Sequence, residues 1–147
     1  MPKFQVLLID DNEADLYLLA AAFEAYPNVQ LVPYTQPVAA LQWAESQARK
    51  GQLPDLVLLD LSMPRMDGWE WLRTARRQPL LGALPVLLYS QTPREVWAQD
   101  EAGTLACPCW QKPMTFLEVQ AQAQQLCEIW LRQHSFTPEA LQTPHAS

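Results

Sequence analysis

Glycine is scarce in this chain, with four in 147 residues. Loops that cradle nucleotide phosphates on backbone amides need closely spaced glycines, and neither a Gly-x-Gly-x-x-Gly turn nor a P-loop is present. Cysteine is sparse too: Cys107, Cys109 and Cys127 are an odd count in a long chain, which reads as reduced thiols. Cys107 and Cys109 flank one proline and lack a second ligand pair, so no zinc site is expected. No apolar run reaches the ~18 residues that a membrane span needs. Met1-Pro2-Lys3 leads straight into a strand pattern, without a secretory signal. Positive charge is also short, with 10 Lys and Arg against 16 Asp and Glu, a net charge of −6. Nucleic-acid surfaces are normally clusters of basic residues, and the densest basic run, Arg73, Arg76 and Arg77, fits a solvated helix face. The expected setting is cytoplasmic, with neither nucleic acid nor membrane as partner.

What the chain does have is hydrophobic substance, 49% against 18% charged residues, enough for one globular domain. Val6-Leu7-Leu8-Ile9 closes on Asp10-Asp11, and Leu56-Val57-Leu58-Leu59 closes on Asp60. Short continuous apolar runs of this kind read as strands buried on both faces of a parallel sheet. Carboxylates at the carboxyl ends of two such strands converge in the crevice where open α/β sheets bind ligands. Three of them together repel one another unless a hard cation sits among them, and Mg²⁺ is the usual solution. Val86-Leu87-Leu88-Tyr89 ends at Ser90, and Lys112 precedes Pro113. Acid pair, lone aspartate, hydroxyl and lysine together compose a phosphoryl-transfer site.

The intervening segments carry helical spacing. Helices are expected at about 13–25, 37–50, 94–102 and 115–134, with another between Asp67-Gly68 and Pro79; strands fall at about 29–34 and 105–111 besides those above. Pro33 and Pro108 lie inside the second and fifth predicted strands, and proline belongs on sheet edges or at bulges. The class is α/β: a flavodoxin-like, doubly wound, five-stranded parallel sheet in the order 2-1-3-4-5, with helices on both faces.

The segments LLIDDNEAD, LVLLDLSMPRMDG, VLLYS and QKP, in this order at strand ends, resemble the receiver domain of two-component response regulators. The likeness runs from about Phe4 to His134, and CEIWLRQHSFTP is similar to single-domain regulators that partner phytochrome-type sensor kinases. The resemblance implies a phosphoacceptor that assists its own phosphorylation and dephosphorylation and is not itself an enzyme. Asp60 would take the phosphoryl group from a histidine kinase. Asp11, Asp60 and the backbone carbonyl of Ser62 would hold Mg²⁺, with Asp10 acting through a metal-bound water. Lys112 and the Ser90 hydroxyl would neutralise the other phosphoryl oxygens. Cys109 stands where the family usually has an aromatic switch, and Gln91 where a small residue is usual. Trp110 should point to the face opposite Cys109.

Two other classes stay open. A haloacid-dehalogenase-type phosphatase needs an acid two residues after the nucleophile, where this chain has Ser62. A phosphorylation-independent scaffold usually lacks the aspartate or the lysine, and both are present. The receiver should fill residues 1–134, leaving 135–147 as a flexible tail. Output then comes from protein contacts, with a homodimer expected through the edge that carries Trp97, Trp110 and Trp130, together with surplus apolar residues on the last helix such as Leu117 and Leu131. The kinase is expected to dock on an exposed Leu16 beside Pro113 and Met114.

Overall fold

The computed structural model describes residues 3–91 and 97–141. Five strands form a parallel sheet: β1 (Phe4–Ile9), β2 (Val29–Tyr34), β3 (Leu56–Asp60), β4 (Val86–Ser90) and β6 (Ala106–Gln111). A short β5 (Trp97–Gln99) pairs antiparallel with β6, and the full order is β2-β1-β3-β4-β6-β5. The expected order of the five parallel strands is therefore present, extended by one strand.

Alternation explains why the buried strands read as unbroken apolar runs. Val6 and Leu8 enter a core beneath α1 (Glu13–Phe23) and α4 (Phe116–Gln133), while Leu7 and Ile9 enter a second core beneath α2 (Pro37–Arg49) and α3 (Gly68–Arg77). With helices on both faces, every residue of β3 and β4 is buried. Local chemistry sets the helix starts. The Asn12 side chain accepts from the Ala14 and Asp15 amides, Asp67 from Glu70, and Thr115 from Glu118. The Thr115 hydroxyl donates in turn to the Glu118 carboxylate at 3.1 Å, and the Met114 amide donates to its other oxygen at 3.4 Å.

Four expectations change. The predicted helix over 94–102 is not seen: residues 92–96 lie outside those described, and Trp97–Gln99 is a strand. A turn built on Asp100 directs it. The Asp100 carboxylate accepts from the Thr104 and Leu105 amides and the Thr104 hydroxyl, while Gly103 supplies the positive φ of 67°. Arg73 of α3 lies 3.5 Å from the same carboxylate, tying the turn to the domain.

Secondly, β6 is not the sheet edge that Pro108 suggested. Lys112 N–H donates to Ser90 O at 2.7 Å, so stepping back along both parallel strands brings Pro108 opposite the Val86 carbonyl. That carbonyl accepts from the Cys107 thiol at 3.2 Å, which supplies the donor that proline lacks. Pro33, by contrast, is on the edge strand β2.

Thirdly, the chain past His134 is packed as far as Leu141, where a flexible tail was expected from Ser135. Phe136 is 2% exposed and meets Phe4 and Trp130 at centroid distances of 5.4 and 5.5 Å. A last turn, α5 (Pro138–Leu141), buries Ala140 and Leu141, and the Trp110 indole donates to Leu141 O at 2.7 Å. Residues 142–147 lie outside those described. Finally, Leu16 is buried, because it continues the stripe of Leu19, Ala22 and Phe23 at helical spacing. Trp110 and Trp130 are buried as well and roof the core beneath α1 and α4; Trp97's side chain lies outside the described set.

Candidate phosphoacceptor site

Parallel strands deliver their carboxyl ends to one rim, and the candidate residues meet there. Asp10 follows β1, Asp11 opens the loop to α1, Asp60 ends β3, Ser90 ends β4 and Lys112 follows β6. One carboxylate oxygen from each of Asp10, Asp11 and Asp60 lies within 4.8 Å of the other two. Asp10, Asp60, Ser90 and Lys112 are buried, while Asp11 and Ser62 are exposed at the mouth. Ser90 is joined to the lysine strand through its carbonyl, which accepts the Lys112 amide.

Backbone amides hold the acids in place. Asn12 N–H donates to Asp10 at 2.9 Å and Ser62 N–H to Asp60 at 3.2 Å. The loop from Leu61 to Gly68 closes through Gly68 N–H to Leu61 O at 2.9 Å. A Cβ on Gly68 would stand 2.9 Å from both Asp60 O and Leu61 Cα, so only glycine lets the start of α3 approach the end of β3 this closely. In sequence Gly68 reads only as a helix entry; its packing role follows from this approach.

The charge balance is unequal. Burial pushes Asp60 up to about 7; Lys112 opposes the rise, Asp10 adds to it, the Ser62 amide lowers it and Asp11 raises it again. Burial also works against the Lys112 ammonium, but hydrogen bonds to Asp10 and Asp15 and the charges of Asp10 and Asp60 outweigh it, leaving the lysine above its ordinary value. Lys112 Nζ lies 2.8 Å from Asp10, 2.8 Å from Asp15 and 3.6 Å from Asp60. Asp15, in the first turn of α1, was not anticipated; nothing in sequence links it to a lysine 97 positions away. One ammonium against this many carboxylates leaves a surplus of negative charge. Oxygen donors at this spacing suit a small hard cation such as Mg²⁺, which binds oxygen at about 2.0–2.1 Å and keeps several waters.

Residues 6–124 match the response regulator receiver domain. The chain belongs to that family. Among curated relatives, the probable methanogenesis regulatory protein FilR2 of Methanothrix harundinacea is 28% identical over 130 residues, 87% of this chain and 84% of that protein. The chain spans far less of other relatives, such as 24% of a protein-glutamate methylesterase from Rhodopseudomonas palustris that is 31% identical over 94 residues. Among solved structures, the phosphorylated cyanobacterial phytochrome response regulator RcpA superposes with a TM-score of 0.72 at 24% identity, covering 92% of this chain and 99% of that one. The Mn²⁺-bound response regulator Rcp1 gives 0.70 at 23% identity, with coverages of 91% and 99%. At these identities the structures share the fold.

Two residues depart from the usual receiver pattern: Gln91, exposed directly after Ser90, and Cys109. Cys109, in the aromatic position, is buried in the core beneath α2 and α3. Trp110 faces the opposite core, as strand alternation requires. Beside Ser90 a buried polar link starts at Tyr89, whose hydroxyl donates to Gln122 Oε1 at 2.8 Å, while Gln122 Nε2 donates to Gln111 O at 3.0 Å.

Proposed function

We propose that this receiver takes a phosphoryl group on Asp60 from a phosphohistidine of a sensor kinase and acts as a stoichiometric phosphoacceptor, without catalytic turnover of its own. The observation that carries the reading is the placement of Asp60: buried at the end of β3, within reach of two further carboxylates and one lysine. The donor's N–P bond breaks with its electron pair left on the imidazole, as a bond forms from Asp60 Oδ to phosphorus. Asp11 and Asp60, with the Ser62 carbonyl, would hold Mg²⁺, and Asp10 would reach it through water. Bound there, the ion supplies positive charge to the phosphoryl oxygens. Lys112 and the Ser90 hydroxyl neutralise the remaining oxygens, so the site works by positioning and charge.

For the kinase, the exposed apolar groups beside the crevice replace Leu16 as candidate anchors. Tyr17 and Leu18 stand on α1, Met114 and Leu117 around the start of α4. A kinase of the phytochrome type is the favoured donor, given the likeness to RcpA. Exposed Leu117 and Leu131 on α4 support a homodimer through that helix and the β5–β6 edge. Among the described residues no helix is long and apolar enough to cross a membrane, and a cytoplasmic setting accords with a kinase partner.

The deciding experiment treats wild type and Asp60→Asn with a small phosphodonor and Mg²⁺ and measures hydroxylamine-labile phosphate. Wild type should label and the variant should not. Label persisting in Asp60→Asn, or full labelling in excess chelator, would remove the assignment.

A further inference from the structure

Lys112 is held off the residue it is meant to serve. Its ammonium carries three N–H donors. Two are directed at 2.8 Å to Asp10 and Asp15, while the oxygen of Asp60 stands at 3.6 Å, beyond a strong charge-assisted hydrogen bond. We propose that Asp15 is a positioning residue that draws Lys112 toward α1 in the resting protein and so sets how readily the site accepts and keeps a phosphoryl group.

The two competing carboxylates differ in what they can give up. The Asp10 side chain is 5% exposed, is fixed by the Asn12 amide and lies among the acid trio. Release of the lysine would leave it buried against like charges, which is unfavourable. The Asp15 side chain is 31% exposed, so water can replace the lysine there at small cost. Its backbone is anchored by the Asn12 cap, which keeps the carboxylate in place on the first turn of α1. A cavity of about 30 Å³ beside Lys112, lined by Asp15, Leu18, Tyr89 and Val119, leaves the lysine stem room to shift. A phosphoryl group on Asp60 brings about two negative charges and oxygen acceptors nearer to Nζ. Lys112 then exchanges Asp15 for a phosphoryl oxygen while keeping Asp10. Asp15 thus acts as a counterweight, and weakening it should favour the phosphorylated arrangement.

This inference rests on the reading of Asp60 as phosphoacceptor, and its test separates the two. Beryllium fluoride with Mg²⁺ serves as the phosphoryl mimic, and its affinity is read by tryptophan fluorescence or calorimetry. It is measured for wild type, Asp15→Asn, Asp15→Ser, Asp15→Glu and Asp60→Asn, with thermal melts checking the fold. Asp15→Asn and Asp15→Ser should bind the mimic about two- to five-fold more tightly, the range that a part-exposed ion pair supports. Asp15→Glu should return toward wild type. In a Lys112→Ala background the same Asp15 changes should have no effect, which a merely structural role for Asp15 would not produce. Unchanged or weaker binding in both neutral variants, or an equal gain with and without Lys112, would overturn the proposal. Mimic binding that survives in Asp60→Asn would instead overturn the phosphoacceptor reading beneath it.

Discussion

Replacing Asp60 with Asn should stabilise the metal-free protein, even though it removes the proposed phosphoacceptor. Burial and the neighbouring acids move this carboxyl from 3.8 to about 7. The folded protein therefore holds the proton to higher pH than the unfolded chain does, and wild type loses stability as pH rises from about 4 to about 7. At ~1.4 kcal/mol per unit the full penalty above pH 7 is about 4 kcal/mol. Sharing of charge with Asp10 and Lys112 spreads that cost, so the single substitution should recover about 2–4 kcal/mol. The introduced amide oxygen can still accept the Ser62 N–H, Lys112 keeps both partners at 2.8 Å, and the amide's N–H donors enter a site rich in the carboxylate acceptors of Asp10 and Asp11. For a domain of this size that is about 5–15 °C in Tm. Thermal unfolding of both proteins in excess chelator at pH 5 and pH 8 is the assay, and the gap should widen at the higher pH. Adding Mg²⁺ should narrow it, because the ion stabilises the folded wild type by mass action and loses a ligand in the variant. An Asp60→Asn protein less stable than wild type at pH 8 without metal, or a gap independent of pH, would refute the reasoning.

Gly68→Ala should destabilise by about 1–3 kcal/mol and slow labelling by a small phosphodonor, since its Cβ meets backbone of Asp60 and Leu61 at 2.9 Å; denaturant midpoints and labelling rates check both. Phe136→Ala should cost about 3–5 kcal/mol by emptying the space between Phe4 and Trp130, and a protein ending at His134 should melt lower still; an unchanged melt for either would mean that the segment does not pack in solution. Tyr17→Glu should slow transfer from the histidine donor while leaving labelling by a small phosphodonor unchanged, and an equal loss in both assays would mark the residue as structural. Leu131→Asp should shift a dimer toward monomer in sedimentation, and a variant that still dimerises moves the interface elsewhere.

The parallel sheet and the crevice were legible because burial on both faces leaves a clear trace: uninterrupted apolar runs that stop at a polar residue. Asp10, Asp60 and Ser90 could be placed without coordinates because each sits where such a run ends; Lys112 is marked instead by the proline after it and by the family resemblance. What escaped depended on partners remote in sequence. Trp97-Ala98-Gln99 has no strand signature of its own; the Asp100 turn and Arg73 on α3 accompany its pairing with β6. Phe136 is one aromatic in a polar, proline-containing stretch, and its burial is provided in part by Phe4 near the opposite end of the chain. Leu16 was assigned the wrong face because Asn12, Leu16 and Ala20 also step by four; its spacing of three from Leu19 decided the matter. Asp15 looked like any acid in a first helical turn, where the dipole alone accounts for it.

The buried amide of Gln122 constrains how a change at the crevice can travel. Its oxygen is taken by Tyr89, the residue before Ser90, and its nitrogen by the carbonyl of Gln111, the residue before Lys112. Both ends of one side chain are thereby pinned to the two strands that lead to Ser90 and Lys112. An axial slide of α4 by one turn, about 5.4 Å, would strand a buried hydroxyl, an amide and a carbonyl together. Helix α4 is latched in register, and any signal leaving through it must be carried by small tilts or by side chains on its outer face.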